Sequence, residues 1–183
     1  DNPYEIERYE AIRRIAAEMM AECSDLPTDE WVRLFTRESG YATPKVDVRG
    51  VCFRDDRILL VRERIDNGWT LPGGWADPCQ SPSEAVTREI REESGFTARA
   101  LRLLAVYDRG KHAHKPPMPF HLYKMFFLCE ITGGEPTTSW ETTAVDFFDV
   151  NDLPDLSTSR VLPYQIQRMH QMLHDPAIPT DFD

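Results

Sequence analysis

The feature that most constrains this chain is a short helix whose two ends can both be read from the sequence. Ser81-Pro82-Ser83-Glu84 has the form of a capping box, with proline at the first helical position. Gly95 supplies a residue that can end a helix in the left-handed conformation. These signals predict a helix over about residues 82–94, placed directly after a glycine turn at Leu71-Pro72-Gly73-Gly74.

Three glutamates on this predicted helix indicate a bound cation. Glu89, Glu92 and Glu93 recur at spacings of three and four residues, so their side chains lie on adjacent turns. Like charges held this close destabilise a helix, which a cation would offset. The apolar residues of the helix lie on another face, which leaves the glutamates toward Gly73-Gly74. Oxygen ligands without His or Cys favour Mg²⁺ or Mn²⁺ over zinc.

The rest of the pattern predicts an α/β protein with a mixed sheet between helical layers. Apolar periodicity predicts two N-terminal helices, and alternating apolar segments predict the strands. The predicted helices cover residues 4–23, 28–40, 82–94 and 160–174, and the predicted strands cover 46–53, 58–63, 101–107, 120–131 and 144–150. The segment 68–71 leads into the glycine turn. We divide the chain into a helical extension at 1–42, a main domain at 43–176 and a tail at 177–183.

Composition excludes several classes of protein. The chain has 183 residues, 41% of them hydrophobic, which is enough for one core plus a small appendage. No apolar run is long enough to span a membrane, and the first residues do not resemble a secretory signal, so we expect a cytoplasmic protein. The formal net charge of −10 argues against nucleic acid as a general partner, because phosphate binding needs a basic surface.

The helix and the turn before it resemble the signature of the Nudix hydrolases. Gly74, Arg88-Glu89-Ile90, Glu92-Glu93 and Gly95-Phe96 match the pattern G-x5-E-x7-R-E-U-x-E-E-x-G-U, in which U is apolar. Gln80 is the one departure, because the pattern has glutamate there. The resemblance covers roughly residues 44–175 and implies a Nudix-type α/β/α sandwich. It also implies metal-dependent hydrolysis of a nucleoside diphosphate linked to another group.

The resemblance also implies roles for individual residues. Glu92 and Glu93 are expected to bind the metal ion, and Glu89 to be a further ligand or to accept the proton of the attacking water. The carbonyl of Gly73 or Gly74 would complete the metal coordination. Arg88 would orient these carboxylates. A fourth acid, Glu141, precedes the last predicted strand where Nudix enzymes often place another metal-binding or base glutamate; a solvated loop glutamate is the alternative.

A second resemblance involves the N-terminal helices and several short motifs. The segments 6–13, 46–50, 71–77 and 106–109 are similar to a Nudix subgroup that includes ADP-ribose pyrophosphatases and bacterial CDP-choline pyrophosphatases. In that subgroup the helical extension helps to form dimers, so we predict a homodimer. The candidate substrate-binding residues are Arg49, Trp75, Arg109, Lys111 and His112.

The alternative to an enzyme is a catalytically weak Nudix domain that serves as a nucleotide sensor or interaction module. Gln80 favours that alternative, whereas the three retained glutamates favour the hydrolase. The cations at 109–112 are equally compatible with a mobile polar loop between two strands that does not bind substrate.

Overall fold

The computed structural model describes residues 2–37 and 43–183, which belong to two compact units, 1–42 and 43–183. In the first unit, helix α1 spans Pro3–Glu22 and helix α2 spans Thr28–Arg37. Asn2 caps α1 by accepting a hydrogen bond from the backbone N–H of Tyr4. The predicted end of the second helix at Gly40 lies outside the described residues.

The second unit is a mixed sheet with one long helix against each face, which confirms the predicted fold class. Its strands follow the order β3-β2-β1-β5-β4-β7, and β6 pairs with β2. Strands β1 and β5 are parallel, whereas β1 and β2 are antiparallel. The elements are β1 (Lys45–Arg54), β2 (Arg57–Glu63), β3 (Trp69–Thr70), α3 (Pro82–Ser94), β4 (Phe96–Asp108), β5 (Leu122–Gly134), β6 (Thr142–Phe148), α4 (Pro163–His174) and β7 (Asp181–Phe182).

Strand β2 shows how the sheet separates two hydrophobic cores. Ile58 and Leu60 are fully buried in the cluster that includes the inner face of α4. Leu59, between them, is fully buried in the other cluster, with Ala85 and Ile90 of α3. Successive side chains of a strand point to opposite faces, so a continuous apolar run serves both layers. The helix that carries the glutamates is thus anchored to the sheet by its apolar face.

The tight turns have the backbone geometry that their residues favour. Asp55 and Asp56 join β1 to β2 with φ angles of 51° and 62°, a left-handed conformation that Asp tolerates better than most residues. Helix α3 has the predicted capping box, and its Gly95 cap has a φ angle of 78°. Both ends of α3 are therefore where the sequence predicted them.

Two features were not expected from the sequence. Residues 109–111 form a short 3₁₀ turn within the predicted loop. The segment 177–183, set apart as a tail, contains β7, which pairs with β4 in parallel. Among residues 2–37 and 43–183, no helix is both long and apolar enough to cross a membrane.

Candidate active site

A cavity of about 320 Å³ lies where α3, the glycine turn and the ends of β1 and β2 meet. Its lining includes six carboxylates and three guanidinium groups, so acidic groups outnumber basic ones two to one. The structure brings together all four predicted catalytic glutamates, the glycine turn, Arg49, Trp75 and Arg88. The lining residues are Asp47, Arg49, Glu63, Gly73, Gly74, Trp75, Arg88, Glu89, Glu92, Glu93, Glu141 and Arg160.

The glycine turn holds Glu93 in place and lies close to Glu89. The backbone N–H of Gly73 donates a hydrogen bond of 2.8 Å to Oε2 of Glu93. The Glu89 carboxylate lies so close to Gly74 that a Cβ added there would be 3.0 Å from its Oε1. The carbonyl of Gly74 accepts a 2.8 Å hydrogen bond from Val48, which fixes this loop against β1. Glycine is thus required at Gly73, where an added Cβ would meet main-chain atoms, whereas at Gly74 it would meet only the end of the Glu89 side chain.

We expect Gly73→Ala to destabilise the protein by about 3 kcal/mol or more. Gly73 has a φ angle of 147°, and an added Cβ would lie 2.0 Å from the carbonyl oxygen of Val48. Urea unfolding should measure the loss. Gly133→Ala is the matched control, because an added Cβ there meets nothing within 4 Å. Equal stability of the two variants would contradict this account of the turn.

Arg88 connects three acids and Gln80. Its guanidinium lies 2.9 Å from Glu89, 2.8 Å from Glu92 and 3.2 Å from Asp77. Its Nε donates to the side-chain oxygen of Gln80 at 3.3 Å. The residue at the unusual motif position therefore contacts the motif arginine through an uncharged hydrogen bond. Glu84 is not a partner of Arg88, because the capping box with Ser81 engages its carboxylate.

A buried charge cluster lies beside the cavity. Arg49 donates to both carboxylate oxygens of Asp47, at 2.7 and 2.9 Å, and to the carbonyl of Leu71 at 3.1 Å. Lys124 donates to the same Asp47 carboxylate. Burial alone would raise the pKa of Asp47, but Arg49 and Lys124 lower it to about 2. This cluster fixes Arg49 at the cavity wall.

The electrostatics of the cavity show a shortage of positive charge. Burial raises the pKa of Glu93 to about 8, and Glu63 and Glu89 add to the rise, although Arg49 and the Gly73 N–H oppose it. Burial also raises the pKa of Glu89 and of Glu63. Carboxylates crowded in this way favour a divalent cation, and hard oxygen donors fit Mg²⁺ or Mn²⁺.

Helix α3 and the loop before β6 are joined beside Glu93. The hydroxyl of Thr142 donates to the main-chain carbonyl of Glu93 at 2.9 Å, and the N–H of Ser139 donates to the same hydroxyl at 2.9 Å. The exposed side chain of Glu141 reaches the cavity from this loop. The fourth predicted glutamate is thus positioned by a contact with the helix that carries the other three.

The sequence prediction missed several residues of the cavity. Glu63 and Arg160 form an ion pair of 2.9 Å in its wall. Trp140 is 81% exposed and lines a recess shared with the glutamates of α3. The charge at the end of an apolar strand could have identified Glu63, and the tryptophan in a polar loop could have identified Trp140. No local signal pointed to Arg160, which is distant in sequence.

The predicted substrate-binding residues separate into two groups. Arg49 and Trp75 line the carboxylate cavity, and Lys45 lies over the Trp75 ring at 4.3 Å. Arg109, Lys111 and His112 are not among the described residues that line this cavity. Arg109 is buried and donates to the carbonyls of Pro116 and Ser159, so its guanidinium is already engaged.

His112 belongs to a different site from the glutamates. It contacts Tyr164 and Asp183, and with Arg109 it lines a separate cavity of about 280 Å³. Lys111 is exposed on the short turn beside this second cavity. Within the part of the chain that the structure describes, the loop thus contributes no cation to the lining of the carboxylate cavity.

Comparison with known proteins gives the same family as the motif. The family described as "UDP-X-like, N-terminal oligomerisation domain" matches residues 1–35. A Bacillus subtilis protein named "Putative ADP-ribose pyrophosphatase YjhB" is 46% identical over 180 residues, which cover 98% of this chain and 86% of that protein.

Two solved structures are also similar. A UDP-X diphosphatase structure aligns with 100% of this chain and 88% of its own, at a TM-score of 0.73 and 33% identity. An ADP-ribose pyrophosphatase from Streptococcus suis aligns with 77% of this chain and 100% of its own, at a TM-score of 0.70 and 38% identity. The family described as "NUDIX domain" matches residues 43–168, and the chain therefore belongs to the Nudix hydrolase family.

Proposed function

We propose that this protein hydrolyses the diphosphate of a nucleoside diphosphate linked to another moiety, with Mg²⁺ as the metal ion and Mn²⁺ as a substitute. The observation that carries the proposal is the convergence of Glu89, Glu92, Glu93 and Glu141 on one cavity. The names of the similar proteins, ADP-ribose pyrophosphatase and UDP-X diphosphatase, support this substrate class.

We assign different roles in hydrolysis to different side chains of the cavity. Glu92 and Glu93, with the carbonyl of Gly74, are the proposed metal ligands; bound metal ions would neutralise the diphosphate and activate water. Glu89 or Glu141 would accept a proton from the attacking water. Arg88 holds Glu89 and Glu92 in place through its two short ion pairs.

Two further side chains of the cavity are proposed to act on the substrate. Arg49 is held in the wall by hydrogen bonds to Asp47 and Leu71, so it would attract the diphosphate through its charge. Trp75 is 42% exposed and offers an aromatic surface to the base or to the leaving group.

A panel of substrates tests the proposal and separates it from a sensor role. ADP-ribose, CDP-choline and a UDP-sugar should be incubated with the full chain and Mg²⁺, and the products resolved by chromatography. We expect cleavage between the two phosphates of at least one substrate, and no cleavage after chelation. Nucleotide binding without turnover of any substrate would support the sensor instead.

Gln80→Glu tests whether the unusual motif residue limits the enzyme. We expect the variant to change turnover by no more than about tenfold, or ~1.4 kcal/mol, because the side chain contacts Arg88 and does not line the cavity. Gln80→Ala, which removes the hydrogen bond, is the companion variant. Steady-state kinetics with the best substrate gives the comparison. An inert wild type that Gln80→Glu activates would favour the sensor.

We further propose that the protein is a homodimer assembled through α1. This helix exposes an apolar row to solvent, although two helices of this length cannot form a core of their own. The match of residues 1–35 to an N-terminal oligomerisation domain supports an assembly role. The exposed apolar residues are Tyr4, Ile6, Tyr9, Ile12, Ile15, Met19 and Met20.

Ile12→Glu combined with Ile15→Glu should convert the dimer to a monomer. Both side chains are more than half exposed, at 63% and 57%, so the folded helix tolerates glutamate while an apolar interface does not. Light scattering measures the mass. Ile65→Glu is the control, because Ile65 is 82% exposed in the second unit. A double variant that stays dimeric would refute assembly through α1.

A further inference from the structure

Two histidines and an aspartate meet on the surface at the end of α4. His170 and His174 are four residues apart, so their rings lie on the same face of the helix. The Nε2 atoms of both lie 2.8 Å from Oδ1 of Asp56, and they are 3.1 Å from each other. None of the three residues lines the carboxylate cavity. The cluster is therefore a separate feature of the second unit.

The geometry of these three atoms fits a small divalent cation. In a tetrahedral zinc site with bonds of about 2.0 Å, ligand atoms are roughly 3.3 Å apart. Separations of 2.8 and 3.1 Å are slightly shorter, so a small outward movement of the exposed Asp56 and His174 side chains is enough. Two imidazoles and one carboxylate are also the ligand types that zinc binds.

Two elements of the fold hold the ligands together. Asp56 lies in the left-handed turn between β1 and β2, which presents its carboxylate toward α4. His170 is held by its ring contact with Phe53 at 5.5 Å. Helix α4 ends at His174, so the negative end of the helix dipole lies beside the ligands and favours a cation.

We propose that Asp56, His170 and His174 form a Zn²⁺ site that joins the β1–β2 turn to the end of α4, with water as the fourth ligand. Without metal, both Nε2 atoms donate hydrogen bonds to Asp56. On binding, the hydrogen of each neutral imidazole moves to Nδ1, and the Nε2 lone pair becomes available to zinc. The chemistry differs from that of the glutamate cavity, because imidazole selects zinc-class ions over Mg²⁺.

Zinc titration of the full chain tests the site, with excess Mg²⁺ present to occupy the glutamate cavity. Calorimetry should detect Zn²⁺ binding that Asp56→Asn weakens at least about tenfold and His174→Ala about a hundredfold. Asp55→Asn is the matched control, since it removes the same charge from the same turn. Zn²⁺ should also raise the unfolding temperature of the wild type and of Asp55→Asn, but not that of His170→Ala.

Cobalt distinguishes this site from the oxygen ligands of the cavity. Co²⁺ bound by two imidazoles in four-coordinate geometry absorbs visible light strongly, whereas an octahedral oxygen site absorbs weakly. We expect a strong band in the wild type that disappears in His170→Ala. Equal Zn²⁺ affinity in the wild type, Asp56→Asn and His174→Ala, or a weak band in every variant, would overturn the proposal.

Discussion

Glu93→Gln should lower the turnover number by about a thousandfold or more, equivalent to ~4 kcal/mol of transition-state stabilisation. Glu93 is 5% exposed and is fixed by the N–H of Gly73 in the glycine turn. Glutamine keeps the length and a carbonyl that can accept this bond, but loses the negative charge that binds the metal ion. Turnover of the best substrate with saturating Mg²⁺ is the measurement.

Folding and metal affinity show whether charge is the reason for that loss. We expect Glu93→Gln to unfold at the same urea concentration as the wild type or higher, because a crowded buried carboxylate is removed. The Mg²⁺ concentration for half-maximal rate should rise. Glu135→Gln is the control at an exposed position and should keep full activity. Full activity in Glu93→Gln would exclude the proposed metal ligand.

Asp47→Asn should destabilise the protein by about 3–5 kcal/mol, the largest stability effect that we expect from a single change of charge. The substitution leaves Arg49 and Lys124, only 4% and 1% exposed, without the carboxylate that both contact. Urea unfolding at neutral pH measures the effect. Asp152→Asn, on an exposed loop, is the control and should change stability by less than about 0.5 kcal/mol.

The pH dependence gives a second measurement on the same pair of proteins. The folded-state pKa of Asp47 is lowered from 3.8 to about 2, so its contribution is present above pH 4 and is lost as the pH falls toward 2. The difference in stability between the wild type and Asp47→Asn should therefore shrink over this interval. A difference that stays constant down to pH 2 would show that Asp47 does not stabilise the fold through its charge.

The sequence predicted the parts of the site that lie close together along the chain. Helix α3 could be placed because its capping residues and its glutamates are local signals. Arg160 reaches the same cavity from more than 60 residues away, and only the packing of the folded sheet brings it to Glu63. The periodicity of apolar residues along the sequence does not show which distant residues meet in the fold.

The cations of the polar loop lie at a different cavity from the carboxylates of the helix. The loop at 109–112 was predicted to bind substrate, and the structure places Arg109 against main-chain carbonyls. A loop has no fixed period, so its residue types do not determine where its side chains point. Strand β7 was missed for a similar reason, because two paired residues give no alternating pattern.

The hydrogen bonds of Thr142 couple the local opening of the two sides of the cavity as well as their positions. Its hydroxyl joins the carbonyl of Glu93 to the N–H of Ser139, so the last turn of α3 and the loop that carries Glu141 share one anchor. Opening of either segment breaks that anchor, and both should exchange amide hydrogens as one cooperative unit. A local opening there would displace Glu93 and Glu141 together, whereas the buried Ala85, Val86 and Ile90 still hold the turn of α3 that carries Glu89.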